Sequence, residues 1–412
     1  MALFPVACSH SDTFSTPVSA VGSPGTGPDV QLTFNPDQDY WPIWTQDGQG
    51  ILYAFVDPQL PNHRCLGLLP AAGGTRLWQL CDNRSLRADT VSSFAGYALD
   101  AAGRLLFAEA VSPARLGGGT PPNVTLWLAD TASPYRRTPL LTLPTTVGST
   151  VVTWLSEIVW TGSNAFLALG QQFNVLPHCV TIGRPLHTTT LCSTSDTIFA
   201  GAGTVVSGVI TGTHATLQAV AGTDSATSYT LAENGASIVF TRHHDLRLFR
   251  VPTGGGASAP LPIQWNYPHT DIPVAGELAG VSCKGSVCIV AHDGILLTDM
   301  YSSPDCNGGV CQEFAHFFFQ VNADTTLDPQ STPAAFMELH RVSLSSGADE
   351  VLQENSTNTI FATPQISPVS GDVVVQVGGG WGHLQTFATR GLPDLFTVDG
   401  NSVLHLYKGL VP

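Results

Sequence analysis

Positive charge is the scarcest property of this sequence of 412 residues. It contains two lysines, Lys284 and Lys408, and its formal net charge is −15. Beyond the Arg136-Arg137 pair there is no run of basic residues. Such a surface repels phosphate backbones and anionic head groups, so nucleic-acid binding is not expected, whereas a basic face on a protein partner is compatible. Charged residues of either sign make up 11% of the chain, less than half of the usual share of about 25%. The surface must therefore be covered largely by Thr, Ser, Gln, Asn and Gly. No apolar run approaches the roughly 18 residues that a membrane-spanning helix needs.

Recognisable catalytic motifs are also missing. There is no Gly-x-Ser-x-Gly nucleophile elbow, and Gly378-Gly-Gly-Trp-Gly-His383 lacks the Gly-Lys-Ser/Thr of a phosphate loop. Long stretches with apolar residues at three-and-four spacing are absent, while 41 glycines and 29 prolines are scattered throughout. The fold class is therefore all-β.

What is present is a recurring unit: an apolar stretch, a polar turn with Gly or Ser, and a second apolar stretch. Clear copies run from Trp41 to Phe55, Ala98 to Ala108 and Tyr229 to Phe240, with weaker ones at Ile158 to Leu169, Ala279 to Val290 and Pro364 to Val377. Gly or Asn accepts the positive φ that a tight hairpin requires, and the flanking Ile, Val, Phe and Tyr suit a pleated strand. A repeat with this period predicts a propeller or a solenoid, and the spacing of about 50 residues between equivalent turns, the length of one four-stranded blade, favours the β-propeller. Six blades are expected, with Thr197 to Gly222 keeping a seventh open. The domain reading is a flexible tether over residues 1–29 and a single propeller over 30–412. Residues Asp299 to Pro333 are read as one long insertion on the rim.

Cysteine is the second informative feature. Eight of nine fall in close pairs, Cys65 with Cys81, Cys179 with Cys192, Cys283 with Cys288 and Cys306 with Cys311. The first two pairs bracket hairpins and the third straddles a recurring turn, where opposed residues come within disulfide reach. Local pairing is the expectation, although eight cysteines allow many connectivities. The spacings lack the Cys-x2-Cys knuckles of structural zinc, so disulfides and an oxidising compartment are favoured over a metal. Cys8 has no nearby partner and follows Leu3-Phe-Pro-Val-Ala7. Two explanations fit: the remnant of a lipoprotein signal, with Cys8 as the lipid anchor, or an ordinary thiol in a tail.

The segments Pro42-Ile-Trp-Thr-Gln-Asp-Gly48 with Ile51 to Phe55, Leu231-Ala-Glu-Asn-Gly235 with Ile238 to Phe240, and Leu246 to Gly255 resemble TolB-type, WD40-like six-bladed propellers of bacterial envelopes. The resemblance covers about a third of the chain. It implies the fold and, more weakly, a periplasmic location. Function is not carried over with it.

Ligand-type residues are sparse. His243-His244-Asp245 is the densest cluster, but adjacent side chains on an extended chain point to opposite faces, so a surface turn explains it more simply than a metal site. Other histidines could converge on a central channel, which keeps a metal-dependent hydrolase or lyase as an alternative. A glycan or small-ligand module is another. The leading expectation has no catalytic residue, metal or cofactor. It is an extracytoplasmic accessory or scaffold subunit that binds a protein partner at a membrane surface. Its expected contacts are the loop aromatics Trp265, Tyr267, Phe317, Phe318 and Trp381, which suit an interface.

Overall fold

The computed structural model describes residues 29–411 apart from 34–38, 58–59, 82–89, 114–122, 177–178, 185–186, 193–196, 201–202, 243–244, 266–273, 297–334, 356–358 and 380–401. The chain opens with β1 (Asp29–Gln31). Blade 1 follows as β2 (Asp39–Trp44), β3 (Gly50–Asp57), β4 (Leu60–Pro70) and β5 (Trp78–Cys81). Blade 2 is β6 (Thr90–Leu99), β7 (Arg104–Pro113), β8 (Asn123–Asp130) and β9 (Ser133–Thr142). A small hairpin of β10 (Thr145–Val147) and β11 (Thr150–Val152) leads to blade 3, which begins with β12 (Trp154–Gly162) and β13 (Ala165–Gln171).

Blade 3 is interrupted by an arm of two stacked hairpin pairs. β14 (Phe173–Leu176) pairs with β17 (Thr197–Ala200), and between them β15 (Cys179–Arg184) pairs with β16 (His187–Cys192). The blade then resumes with β18 (Thr204–Thr211) and β19 (His214–Ala219), in the order β12-β13-β18-β19. Thr197 to Gly222 is therefore not a seventh blade. β18 takes its place beside β13, pairing Ala168 with Val206, so these strands are the outer half of blade 3.

Blade 4 is β20 (Ala226–Ala232), β21 (Ser237–Arg242), β22 (Asp245–Pro252) and β23 (Ala259–Pro260). Blade 5 is β24 (Val274–Lys284), β25 (Val287–Leu296), β26 (Ala335–Ser343) and β27 (Asp349–Asn355). Blade 6 contains β28 (Thr359–Ile366), β29 (Val373–Gly379) and β30 (Ser402–Tyr407), and its outer strand is β1 from the other end of the chain. That exchange closes the ring and supplies β30 with the ladder partner that an exposed edge would lack. The six recurring sequence units are the hairpins between the first and second strands of the six blades.

The ring explains why the second strands are apolar at consecutive positions. Each blade is sandwiched between two others, so both faces of its sheet are buried. On β3, Ile51, Tyr53 and Phe55 pack towards blade 6, with Val374 and Leu404, while Leu52 and Ala54 pack towards blade 2, with Tyr97 and Phe107. The remaining buried clusters occupy the other four seams in turn, between blades 2 and 3, 3 and 4, 4 and 5, and 5 and 6. The core is thus a ring of six seams.

Two disulfides are formed among the described residues. Cys65 and Cys81 are directly opposed on β4 and β5, with Cα atoms 4.4 Å apart, and Cys283 and Cys288 brace the turn at Gly285. Cys179 and Cys192 are opposed in the β15–β16 register. Cys8, Cys306, Cys311 and residues 1–28 lie outside the described residues.

Strand alternation also sorts the connections by face. Turns between first and second strands and between third and fourth strands emerge on one side of the ring, and these are tight: 45–50, 100–104 and 284–287 are examples. Second-to-third connections emerge on the opposite side. The arm of blade 3 is one of them, and the strand ends Leu296, Ala335, Gly379 and Ser402, which residues 297–334 and 380–401 join in sequence, lie on that side as well.

Candidate functional site

The innermost strands β2, β6, β12, β20, β24 and β28 line the axis, and each carries a register irregularity where its pairing slips. The slips fall at Trp41, Ala95, Glu157, Thr227, Ala279 and Thr363, a few residues before the tight turn of each blade, and so form one ring. Bulges bend a strand and re-aim its side chains, and they recur beside functional sites.

The bulges are of two kinds. In blades 1, 3 and 6 the bulged residue is left-handed although it is not glycine: Trp41 has φ 52°, Glu157 48° and Thr363 46°. That conformation is costly for a residue with a Cβ, most of all for β-branched Thr363, and persists only where the surroundings enforce it. In blades 2, 4 and 5 a small residue follows the slip: Gly96, Ser228 or Gly280. A Cβ on Gly96 would sit 2.8 Å from the Ser156 Cα, and one on Gly280 would meet Pro364. The small residues let neighbouring inner strands approach one another.

The enforcing contacts come from adjoining blades. Tyr97 of blade 2 donates its hydroxyl to the Trp41 carbonyl, and Tyr229 of blade 4 donates to the Glu157 carbonyl at 2.8 Å. Three residues beyond each bulge stands a tryptophan whose indole N–H reaches back to the preceding blade, Trp44 to the Gln365 carbonyl at 2.9 Å and Trp160 to the Ala98 carbonyl at 3.3 Å. Blades 1 and 3 therefore use one device to present two different side chains, the indole of Trp41 and the carboxyl of Glu157.

Trp41 is exposed at 38% of its surface, with its ring edge-on to Tyr40. Glu157 is half-buried. Its Oε2 accepts the Tyr229 N–H at 2.8 Å, and the Ser228 side chain also hydrogen-bonds it. Burial outweighs these bonds and pushes the carboxyl up to about 7. Burial likewise raises the Tyr229 phenol well above its ordinary value and takes Tyr40 to about 12. No lysine, arginine or histidine contributes to the setting of Glu157 among the described residues. By contrast, Glu109 is ion-paired to Arg137 at 3.0 Å, and the guanidinium lies 4.3 Å from the Trp127 ring centroid. Asp349 faces His340 Nδ1 at 2.9 Å, with both side chains fully buried.

Trp265, expected as a loop aromatic free for a partner, is half-buried against the seam of blades 4 and 5. Its ring meets that of His340 edge-on at 5.3 Å, which packs one side of it against the seam. Asp245 accepts two hydrogen bonds from the Arg247 guanidinium at the start of β22, as a surface turn would have it; His243 and His244 lie outside the described residues, as do Tyr267, Phe317, Phe318 and Trp381. Among the described residues no group of three His, Cys, Asp or Glu side chains could hold a metal. Sequence reasoning missed Glu157. The available signal was spacing: Glu157-Ile-Val-Trp160 repeats the interval of Trp41-Pro-Ile-Trp44.

Six four-stranded blades closed by the N-terminal strand define a six-bladed β-propeller. No protein-family model matches the chain, and no curated protein matches it. Among solved structures it is similar to regucalcin, a calcium-binding protein from Agrobacterium tumefaciens, at 13% identity and TM-score 0.42 over 92% of each chain. It is similar to the WD40 repeats of RRP9 at 10% identity and TM-score 0.41, covering 95% of this chain and 98% of that one. TolB from Acinetobacter baumannii is similar at 14% identity and TM-score 0.36, with 68% and 58% covered. These likenesses concern fold and supply no ligand or partner.

Proposed function

We propose that the chain is a non-catalytic, extracytoplasmic propeller that binds another protein at a membrane surface, as an accessory or scaffold subunit of a membrane-associated complex. The observation that carries this reading is the asymmetry of the two faces. Tight turns occupy one face, whereas the blade 3 arm and the strand ends joined by the connections 297–334 and 380–401 lie on the other. Long loops on a rigid scaffold are where recognition usually resides. The disulfides at Cys65–Cys81 and Cys283–Cys288 suit an oxidising compartment. In this reading Cys8 carries a lipid, and Phe317, Phe318 and Trp381 in those connections, together with Tyr267, serve as contacts.

The test is purification from native membranes in mild detergent. The intact protein is expected in a stoichiometric complex, lipid-modified at Cys8. A variant with 300–332 replaced by a short Gly-Ser linker should keep its melting temperature and lose the partner. Recovery of the intact protein only as a free, unmodified monomer would contradict the reading.

A further inference from the structure

Among the described residues, Glu157 is a carboxylate that no lysine, arginine or histidine answers. β20 contributes the Tyr229 N–H and the Ser228 side chain, both neutral, and Tyr229 is the titratable group facing it from that strand. From β13, Gln171 accepts the Ser156 hydroxyl through its side-chain oxygen, and β6 presents the bare backbone of Gly96. A half-buried carboxylate in such a setting gains a great deal from an incoming cation, because the attraction acts in a poorly solvated site. The neighbouring left-handed bulge on the other side of blade 2 holds Trp41, whose exposed indole is on the same ring. Between them blade 2 places Ala95 and Gly96, so no large side chain from its bulge fills the intervening space.

These features select among cations. A divalent metal ion is held best by several charged oxygen ligands, and among the described residues no three His, Cys, Asp or Glu side chains come together at Glu157. An alkylammonium is satisfied by one carboxylate and an aromatic face. We propose that Glu157 anchors a small organic cation with an alkylammonium head group in the axial channel, with the Trp41 indole as its second contact. The site is separate from the long-loop face, so it stands or falls independently of the partner-binding reading.

Binding is coupled to the proton. An ammonium pairs with the ionised carboxylate, and with a midpoint of about 7 that form is scarce at pH 6 and dominant at pH 8. The apparent affinity scales with the competent fraction and should rise about tenfold over that interval.

The test is calorimetric titration of the full chain with choline chloride, the neutral analogue 3,3-dimethylbutan-1-ol and calcium chloride. Choline is expected to bind saturably, about tenfold tighter at pH 8 than at pH 6, and the neutral analogue is not. Glu157→Gln should weaken choline binding at least tenfold and remove its pH dependence, and Trp41→Leu should weaken it several-fold. Glu350→Gln on the exposed outer strand of blade 5 should leave it unchanged; unaltered thermal melts show that each variant is folded. Absence of saturable choline binding, equal binding of the neutral analogue, displacement of choline by calcium in a site unaffected by Glu157→Gln, or unchanged affinity in Glu157→Gln would each overturn the proposal.

Discussion

Glu109 and Glu157 are both drawn into the protein from strands of adjacent blades, and they are compensated in opposite ways. Glu109, on β7, is 3% exposed and answered by Arg137 from β9 of the same blade, which is itself stacked on Trp127. Glu157, on β12, is answered across a blade seam by a backbone N–H and a hydroxyl. The first arrangement pairs a buried carboxylate with a guanidinium and is a matter of structure. The second leaves the carboxyl poised between two protonation states near neutrality, on the axis, held by a strained backbone. Perturbed groups of this kind concentrate at functional sites, and charge-paired ones commonly do not.

The largest effect should come from breaking the first pair. Arg137→Ala breaks a buried ion pair and removes the stacked guanidinium, and should cost about 3–4 kcal/mol in urea denaturation. A loss under about 1 kcal/mol would mean that Glu109 does not depend on Arg137.

Next comes pH. The folded midpoint of Glu157 is raised from the ordinary 4.5 to about 7, so the unfolded chain gives up this proton first as pH rises. The stabilisation is complete below about pH 4.5 and is lost as pH rises through 7. Remaining solvent contact reduces the full linkage value, leaving about 1–2 kcal/mol between pH 5 and pH 8.5. Denaturation across this range should show the decline in the intact protein and lack that component in Glu157→Gln.

Smaller again is the clasp that the left-handed bulges of blades 1 and 3 share. Tyr229→Phe and Tyr97→Phe each remove a hydroxyl donated to a bulge carbonyl and should cost about 1 kcal/mol apiece. Only Tyr229→Phe should also move the Glu157 midpoint. At the bottom stands Glu350→Gln, which opens an ion pair with Arg341 in which Glu350 is 57% exposed. Its effect on stability should stay under about 0.5 kcal/mol.

Much of the fold was legible before the structure because a blade buried on both faces writes itself as consecutive apolar residues around a turn. Ile51 to Phe55 and Ile238 to Phe240 are such strands. The strands at 204–210 and 216–221 were equally visible, but their membership in blade 3 was not, since β13 lies on the far side of the inserted arm. The packing of Trp265 was hidden for a related reason. Its immediate sequence is that of a loop, and the ring it packs against, His340, comes 75 residues later (340 − 265).

The axial site is legible only in part. Glycine and the paired cysteines announce tight turns and braced hairpins through local geometry. Glu157 acquires its character from Tyr229, 72 residues away, and from a bulge whose left-handed backbone no propensity predicts. What the sequence does hold is the shared three-residue interval to Trp44 and Trp160, and that interval becomes meaningful once both indoles are seen bonding the preceding blade.

The contrast between the two glutamates can be measured directly by following glutamate side-chain carboxyl carbons by NMR as a function of pH, with Glu157→Gln used to assign the resonance. The account predicts a Glu157 midpoint near 7, shifting downward when choline is added. A midpoint in the ordinary carboxylate range, unmoved by choline, would contradict it.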